Sequence, residues 1–220
     1  MAVEPLDLNK IDGVIPANQA RSRAAQARLM AAGEQVFARV GYDAARVSDI
    51  AEQAQCSIGS FYRRFRDKEA LFHALHTQFA LRGVENIGVF FDKPEWRTAP
   101  VTKVLSTLML NTARQIERNP GFFRALFQRS LEGKGETYFP ALAAADVEGG
   151  RRLAAFLRAR GAAHADDLEA TCTFALQSVE AILLHRLLHV GYRGPITDPG
   201  LIEQLTKLLT SYLDLPPQQG

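Results

Sequence analysis

The ten residues from Ser57 to Arg66, Ser-Ile-Gly-Ser-Phe-Tyr-Arg-Arg-Phe-Arg, hold the densest chemistry in the chain. An arginine guanidinium pairs with both acceptors on a guanine edge, while tyrosine and lysine reach phosphate oxygens. At helical spacing Phe61 and Phe65 lie four apart and point into a core, leaving Ser60 and Arg63 roughly opposite and Tyr62 and Arg64 flanking. The small residues Ser57, Gly59 and Ser60 at the helix start allow close backbone approach, and a helix N-terminus favours a phosphate. On spacing alone, however, a helix-turn-helix pattern is loose, and such a charged face equally suits the solvated surface of a helical bundle.

Other residues offer weaker chemistry. His185 and His189 stand four apart on one helix, a spacing that chelates a metal, but no Glu lies between them and no third ligand is evident. They read as packing or pocket histidines, as do His73 and His76. Asp166-Asp167 reads as a cap for the following helix. No glycine-rich phosphate loop, serine nucleophile elbow or supported Cys–His pair occurs, so the expectation is no catalytic residue, no cofactor, no metal and no enzyme. The competing reading is a helical small-molecule or metal-binding protein with an incidental basic head.

The elements that must position these residues are all helical by their 3.6-residue periodicity. In 220 residues, 47% are hydrophobic and 23% charged, which suits a globular domain with a real core. No apolar run approaches the roughly 20 residues of a membrane-spanning helix. Two cysteines, Cys56 and Cys172, exclude a disulfide framework and fit a reducing cytoplasm. Residues 1–20, broken by Pro5, Gly13 and Pro16, read as a flexible or loosely docked arm rather than a signal peptide. The formal charge of +2 is uninformative as a total, but residues 21–71 carry nine Lys or Arg against six acids.

Periodicity predicts a first helix over about 21–40, with Leu29, Val36, Phe37 and Val40 on one face and Gly41 as its stop. A second follows over about 47–54, and a third from Ser57 as N-cap to near Phe65. A fourth, capped by Asp67, runs to about Asn86. Further helices are expected over 101–118, 120–132, 137–160 (kinked or split at Gly149-Gly150), 166–191 and 199–213, with a frayed tail over 216–220.

Two stretches carry a family resemblance. Phe37-Ala-Arg-Val-Gly-Tyr-Asp-Ala-Ala-Arg-Val-Ser-Asp-Ile-Ala51 and Ser57-Ile-Gly-Ser-Phe-Tyr-Arg-Arg-Phe-Arg-Asp-Lys-Glu-Ala-Leu71 resemble the TetR family of bacterial transcriptional regulators. The resemblance implies an all-α homodimer: a three-helix head over 21–71, helix 4 (about 68–86) as link, and a ligand-sensing and dimerisation domain over 87–215. It implies a repressor released from a palindromic operator by a small hydrophobic or aromatic ligand. Carried onto this chain, Arg46, Val47 and Ser48, with Ser57, Ile58, Gly59, Ser60, Tyr62, Arg63 and Arg64, would face DNA. Tyr62 and Lys68 stand where the family commonly touches phosphate, and Arg21 and Arg23 offer extra backbone contacts. Three positions depart from the pattern: Gln55 replaces the turn glycine, Ala45-Arg46 the threonine near helix 2, and Arg66 the proline after helix 3. If left-handed, Gln55 costs on the order of 1 kcal/mol.

Segment 166–191 is apolar on two sides, one bearing Leu168, Cys172, Leu176, Val179, Ile182, Leu183 and Val190, the other Phe174, Ala181, Leu184 and Leu188. A helix apolar on both sides must be buried on both. With 199–213 (Leu201, Leu205, Leu208, Leu209, Tyr212) it is expected to pack on its symmetry mate as a four-helix dimer interface. Met109, Gln115, Phe123, Phe127, Phe156, Phe174 and His185 are the candidate ligand contacts, and aromatic density favours a hydrophobic or aromatic ligand. Arg186, amid the apolar stripe, would need a carboxylate across the interface or an acidic ligand.

Overall fold

The structure, a computed structural model, describes residues 10–17, 19–163, 166–189 and 194–215, the side chains of residues 134, 135 and 139 excepted. Val190, the Phe139 side chain, the first nine residues of the arm and the 216–220 tail lie outside them.

Among the described residues nine α-helices follow one another: α1 (Ala20–Ala44), α2 (Val47–Gln53), α3 (Ile58–Tyr62), α4 (Lys68–Phe91), α5 (Val101–Arg118), α6 (Pro120–Arg129), α7 (Gly135–Ala159), α8 (Leu168–Leu188) and α9 (Pro199–Tyr212). Among the described residues the only β pairing is one bridge, Val14 to Phe65. The chain forms two compact units, Met1–Leu81 with Pro120–Leu142, and Arg82–Asn119 with Ala143–Gly220. α6 and the start of α7 thus belong to the unit of the helix-turn-helix.

In the first unit Leu29, Val36 and Phe37 are fully buried on α1 as expected, but Val40 is exposed. The reason lies at Gly41, which leaves the helical region (φ 77°) and turns Tyr42 inward, where its ring stacks on Phe37 at 5.7 Å. Phe72 meets both rings edge-on and contacts Phe122 and Tyr138 in turn, so one aromatic cluster joins α1, α4, α6 and α7. The α6 backbone lies directly on α1. A Cβ on Gly121 would stand 2.2 Å from the Ala38 carbonyl oxygen, so no other residue fits without moving a helix.

In the second unit α5 packs against α8 and α9, with Val104, Leu105 and Leu108 buried on α5, Val179 and Leu183 on α8, and Leu201, Leu205 and Leu209 on α9. Asp167 and Asp198 cap α8 and α9 by accepting from the amides of Ala170 and Leu201. Glu117 holds the approach to α9, accepting from the Ile196 amide and the Thr197 hydroxyl. The expected break at Gly149-Gly150 does not occur: α7 runs through both. These glycines are packing positions, since a Cβ on Gly150 would lie 2.7 Å from the Thr173 amide nitrogen of α8.

Candidate nucleic-acid interface

The local sequence dictates a short, rigid α3. The Ser57 hydroxyl caps it, accepting from the Ser60 amide at 3.1 Å. Phe61 and Phe65 are wholly buried and pin it from below, with Phe65 just beyond the helix rather than in its last turn. Ile50 and Ala51 bury the inner face of α2. The turn between α2 and α3 passes through Gln55 at φ 53°, so the left-handed position expected there is occupied by a non-glycine residue.

The outer face is open. Arg46, Ser48, Ser57, Ile58, Gly59, Tyr62 and Arg63 are exposed, Ser60 and Arg64 half-buried. Tyr62 and Ile58 show about half their surface, at 52% and 50%. Gly59 is not required by packing, because a Cβ there would meet only Arg63 and Ser57 side-chain atoms at 3.6 and 3.8 Å. Arg63 folds back to donate to the Ser60 hydroxyl at 2.9 Å. Arg64 donates to the Ser22 hydroxyl at 2.6 Å and to the Arg63 carbonyl, which ties it to the first turn of α1.

Two supports of this surface escaped the sequence reading. Residues 11–15 of the arm form a strap: Ile11 and Val14 are buried, the Ile15 amide donates to the Arg64 carbonyl, and the Arg66 amide to that of Gly13, both at 2.8 Å. Arg66 then grips Asp12 through two bonds of 3.0 and 2.9 Å. Partners 54 residues apart leave no local pattern to read. Lys68 is the second support. Its ammonium donates to the carbonyls of Tyr42, Asp43 and Ala45 at 2.8, 3.3 and 3.0 Å and lies over the Tyr42 ring. Its three protons are thereby directed at the end of α1.

Beside it, Glu69 gathers Tyr42 (2.5 Å), Tyr138 (2.6 Å) and Arg129, residues of α1, α7 and α6. Burial works to raise this carboxyl, but the hydrogen bonds from both tyrosines and the Arg129 charge hold it below its ordinary value. Burial, with Glu69 accepting their protons, pushes both phenols up. The network is thus ionised glutamate held by neutral tyrosines and a charged arginine.

Of the candidate ligand contacts, Phe123 and Phe127 belong to the first unit and Met109, Gln115, Phe156, Phe174 and His185 to the second. Met109 and Phe123 are buried, Gln115 and Phe156 half-buried, but Phe127, Phe174 and His185 are exposed. Phe127 and Phe174 show 50% and 57% of their surface, and the Phe174 ring rests on that of Tyr212. The rings of His185 and His189 stack at 4.0 Å, with the His189 Nδ1 2.8 Å from the His185 carbonyl oxygen. Among the described residues no group of three or more His, Cys, Asp or Glu is placed to hold a metal, and no helix is long and apolar enough to cross a membrane.

Known proteins of similar sequence and fold agree with this geometry. Residues 29–75 match the profile of bacterial regulatory proteins of the tetR family, and residues 100–213 that of the tetracyclin repressor-like C-terminal domain. The HTH-type transcriptional repressor Rv1474c of Mycobacterium tuberculosis is 29% identical over 108 residues, 48% of this chain; the chain spans 58% of that repressor's own length. A TetR-family regulator from Mesorhizobium loti superposes with TM-score 0.67 at 18% identity, over 89% of this chain and 98% of that one. FadR from Bacillus subtilis, solved with stearoyl-CoA, gives 0.65 at 15% identity, over 84% and 98%. GusR from Salmonella enterica gives 0.63 at 20%, over 86% and 95%.

Proposed function

The chain belongs to the TetR family of bacterial regulatory proteins, its C-terminal match alone covering more than half of it, and on that premise we propose that it is a cytoplasmic transcriptional repressor. It acts as a homodimer on a palindromic operator and leaves it when a small hydrophobic or aromatic ligand binds. The observation that carries the reading is the outer face of α2 and α3: Tyr62, Arg63, Ile58 and Gly59 are exposed on a helix otherwise fixed by its cap and two buried phenylalanines.

Within that reading Arg63 reads a base edge, since its present partner is only the Ser60 hydroxyl of its own helix. Tyr62, Ser48 and Arg46 contact the backbone, and the Ser57–Gly59 turn brings amides near a phosphate. Arg64 orients α3 through Ser22. Dimerisation through α8 and α9 is supported by the apolar surface they leave outward, Phe174, Leu208 and Tyr212 with half-buried Leu184 and Leu188. Two recognition helices related by a dyad then read half-sites about 34 Å or a multiple apart.

A gel shift on the DNA upstream of the protein's own gene tests this. The expected band weakens steeply with salt as phosphate contacts release counterions. Arg63→Ala retains a band but loses the operator's advantage over scrambled DNA by about 1–3 kcal/mol. A folded dimer that gives no salt-sensitive band at any concentration tested would sink the proposal.

A further inference from the structure

His76, in the middle of α4, is fully buried, and among the described residues neither ring nitrogen has a hydrogen-bond partner. Its surroundings are rings: Phe122 stacked at 6.4 Å, Tyr138 at 5.1 Å, and Phe79 and Phe123 closing the same cluster against Phe122. A leucine or phenylalanine would fill this place without stranding a donor and an acceptor. Packing alone therefore does not explain the histidine.

We propose that His76 is the polar anchor of an effector subsite for a neutral aromatic hydroxyl compound, and that Tyr138 carries its occupancy to Glu69. A neutral imidazole offers one N–H and one lone pair, and a phenolic hydroxyl answers either. Burial, with His73 adding, pushes the His76 ring down to about 4, so it stays neutral at ordinary pH. An anionic or cationic ligand would lie uncompensated among phenyl rings. Phe79 and His73 are only half-buried, so the cluster is reached by displacing side chains at its edge.

Tyr138 is the connection because it serves both neighbours. Its ring packs on His76, His73 and Phe72, while its hydroxyl donates to Glu69 at 2.6 Å. A ligand ring entering beside His76 competes with the Tyr138 ring for space and so withdraws one of the bonds that hold Glu69. Glu69 lies in the first turn of α4, next to the Lys68 that caps α1 and just beyond Asp67, which caps α4 after the recognition segment. The coupling half rests on the DNA-binding reading above; the site itself does not.

The experiment separates the two. Phenol, toluene and benzoate are titrated against the full-length protein without DNA, following the ring resonances of 15N-labelled histidine. Phenol should shift His76 and bind about tenfold tighter than toluene, the factor of one hydrogen bond to an otherwise unpaired group, with benzoate not binding. His76→Phe should keep or raise the thermal midpoint and lose the preference for phenol, while His76→Gln, which retains a donor and an acceptor, keeps it. Equal binding of phenol and toluene, no phenol binding, or an unchanged preference in His76→Phe overturns the site. Operator affinity is then measured with and without phenol. Phenol should weaken it at least fivefold in the wild type and leave it unchanged in Tyr138→Phe, which lacks the hydroxyl. Release that persists in Tyr138→Phe overturns the coupling. Failure of the protein to bind DNA without phenol counts against the function proposed above and leaves the phenol titration standing.

Discussion

The unit that holds the helix-turn-helix is joined by rings and charge, whereas the α5–α8–α9 part of the other is joined by aliphatic side chains and turns aromatic ones outward. In the first, Phe37, Tyr42, Phe72, Phe122 and Tyr138 interlock, and Glu69 ties three helices at once. In the second, Val104, Leu105, Leu183, Leu205 and Leu209 fill the core while Phe174 and Tyr212 lie on the surface. The contrast teaches what each part lacks. The first keeps most of its rings inside and sets arginines beside Ile58 and Tyr62 on its outer face; the second leaves Phe174, Leu208 and Tyr212 outward, apolar surface that the proposed subunit interface would cover.

The largest effect expected from breaking this arrangement comes from the two places where helix backbones touch. Gly121→Val forces a side chain into the Ala38 backbone and Gly150→Val one into Thr173; each should cost about 3 kcal/mol or more. Denaturant melts should show that Gly121→Val abolishes operator binding at temperatures where Gly150→Val still binds DNA weakly. Equal loss in both would mean the two units unfold as one.

A middle-sized effect sharpens the comparison from the apolar side. Glu180 on α8 is pushed up to about 7, first by burial and then by the Asp146 charge. An unfolded glutamate has already lost its proton near 4.3, so over the interval up to about 7 the folded chain binds the extra proton and stability falls as pH rises. Glu180→Gln should gain roughly 1–3 kcal/mol at pH 8 and nothing near pH 4.5. Denaturation curves at the two pH values check it, and a gain of equal size at both would remove the explanation.

The smallest effect concerns the recognition turn. Gln55→Gly relieves the left-handed strain but loosens the unfolded chain, so the head should gain under about 1 kcal/mol with operator affinity unchanged. A loss in the thermal midpoint would show that the Gln55 side chain contributes more than its backbone costs.

What the sequence disclosed follows from interaction range. The Ser57, Asp67 and Asp167 caps and most helix spans are set within a few residues and appear close to where periodicity and spacing put them, although α3 stops at Tyr62 and α4 runs on to Phe91. The turn at Gln55 is left-handed where the family pattern has glycine. The outward face of α3 was legible because Phe61 and Phe65 announce the inward one. Asp12 with Arg66, Ser22 with Arg64, and Arg129 with Glu69 were not, since each pair meets across 42 to 60 residues. Lys68 was ambiguous, because a basic residue after a recognition helix suits a phosphate as well as it suits the carbonyls that end α1. Gly150 misled because a glycine that weakens a helix and one that admits a neighbouring helix look alike on paper.

The strap of residues 11–15 also has a consequence in time. The helices of the head make mainly local contacts and can form in microseconds, but Gly13, Val14 and Ile15 pair with Arg66, Phe65 and Arg64, about 50 residues further along the chain. Closing so large a loop is worthwhile only after α3 and the first turn of α4 have found each other. The strap is therefore the last piece of the head to lock, and amide protection at Ile15 and Arg66 should report when the recognition helix has reached its final orientation.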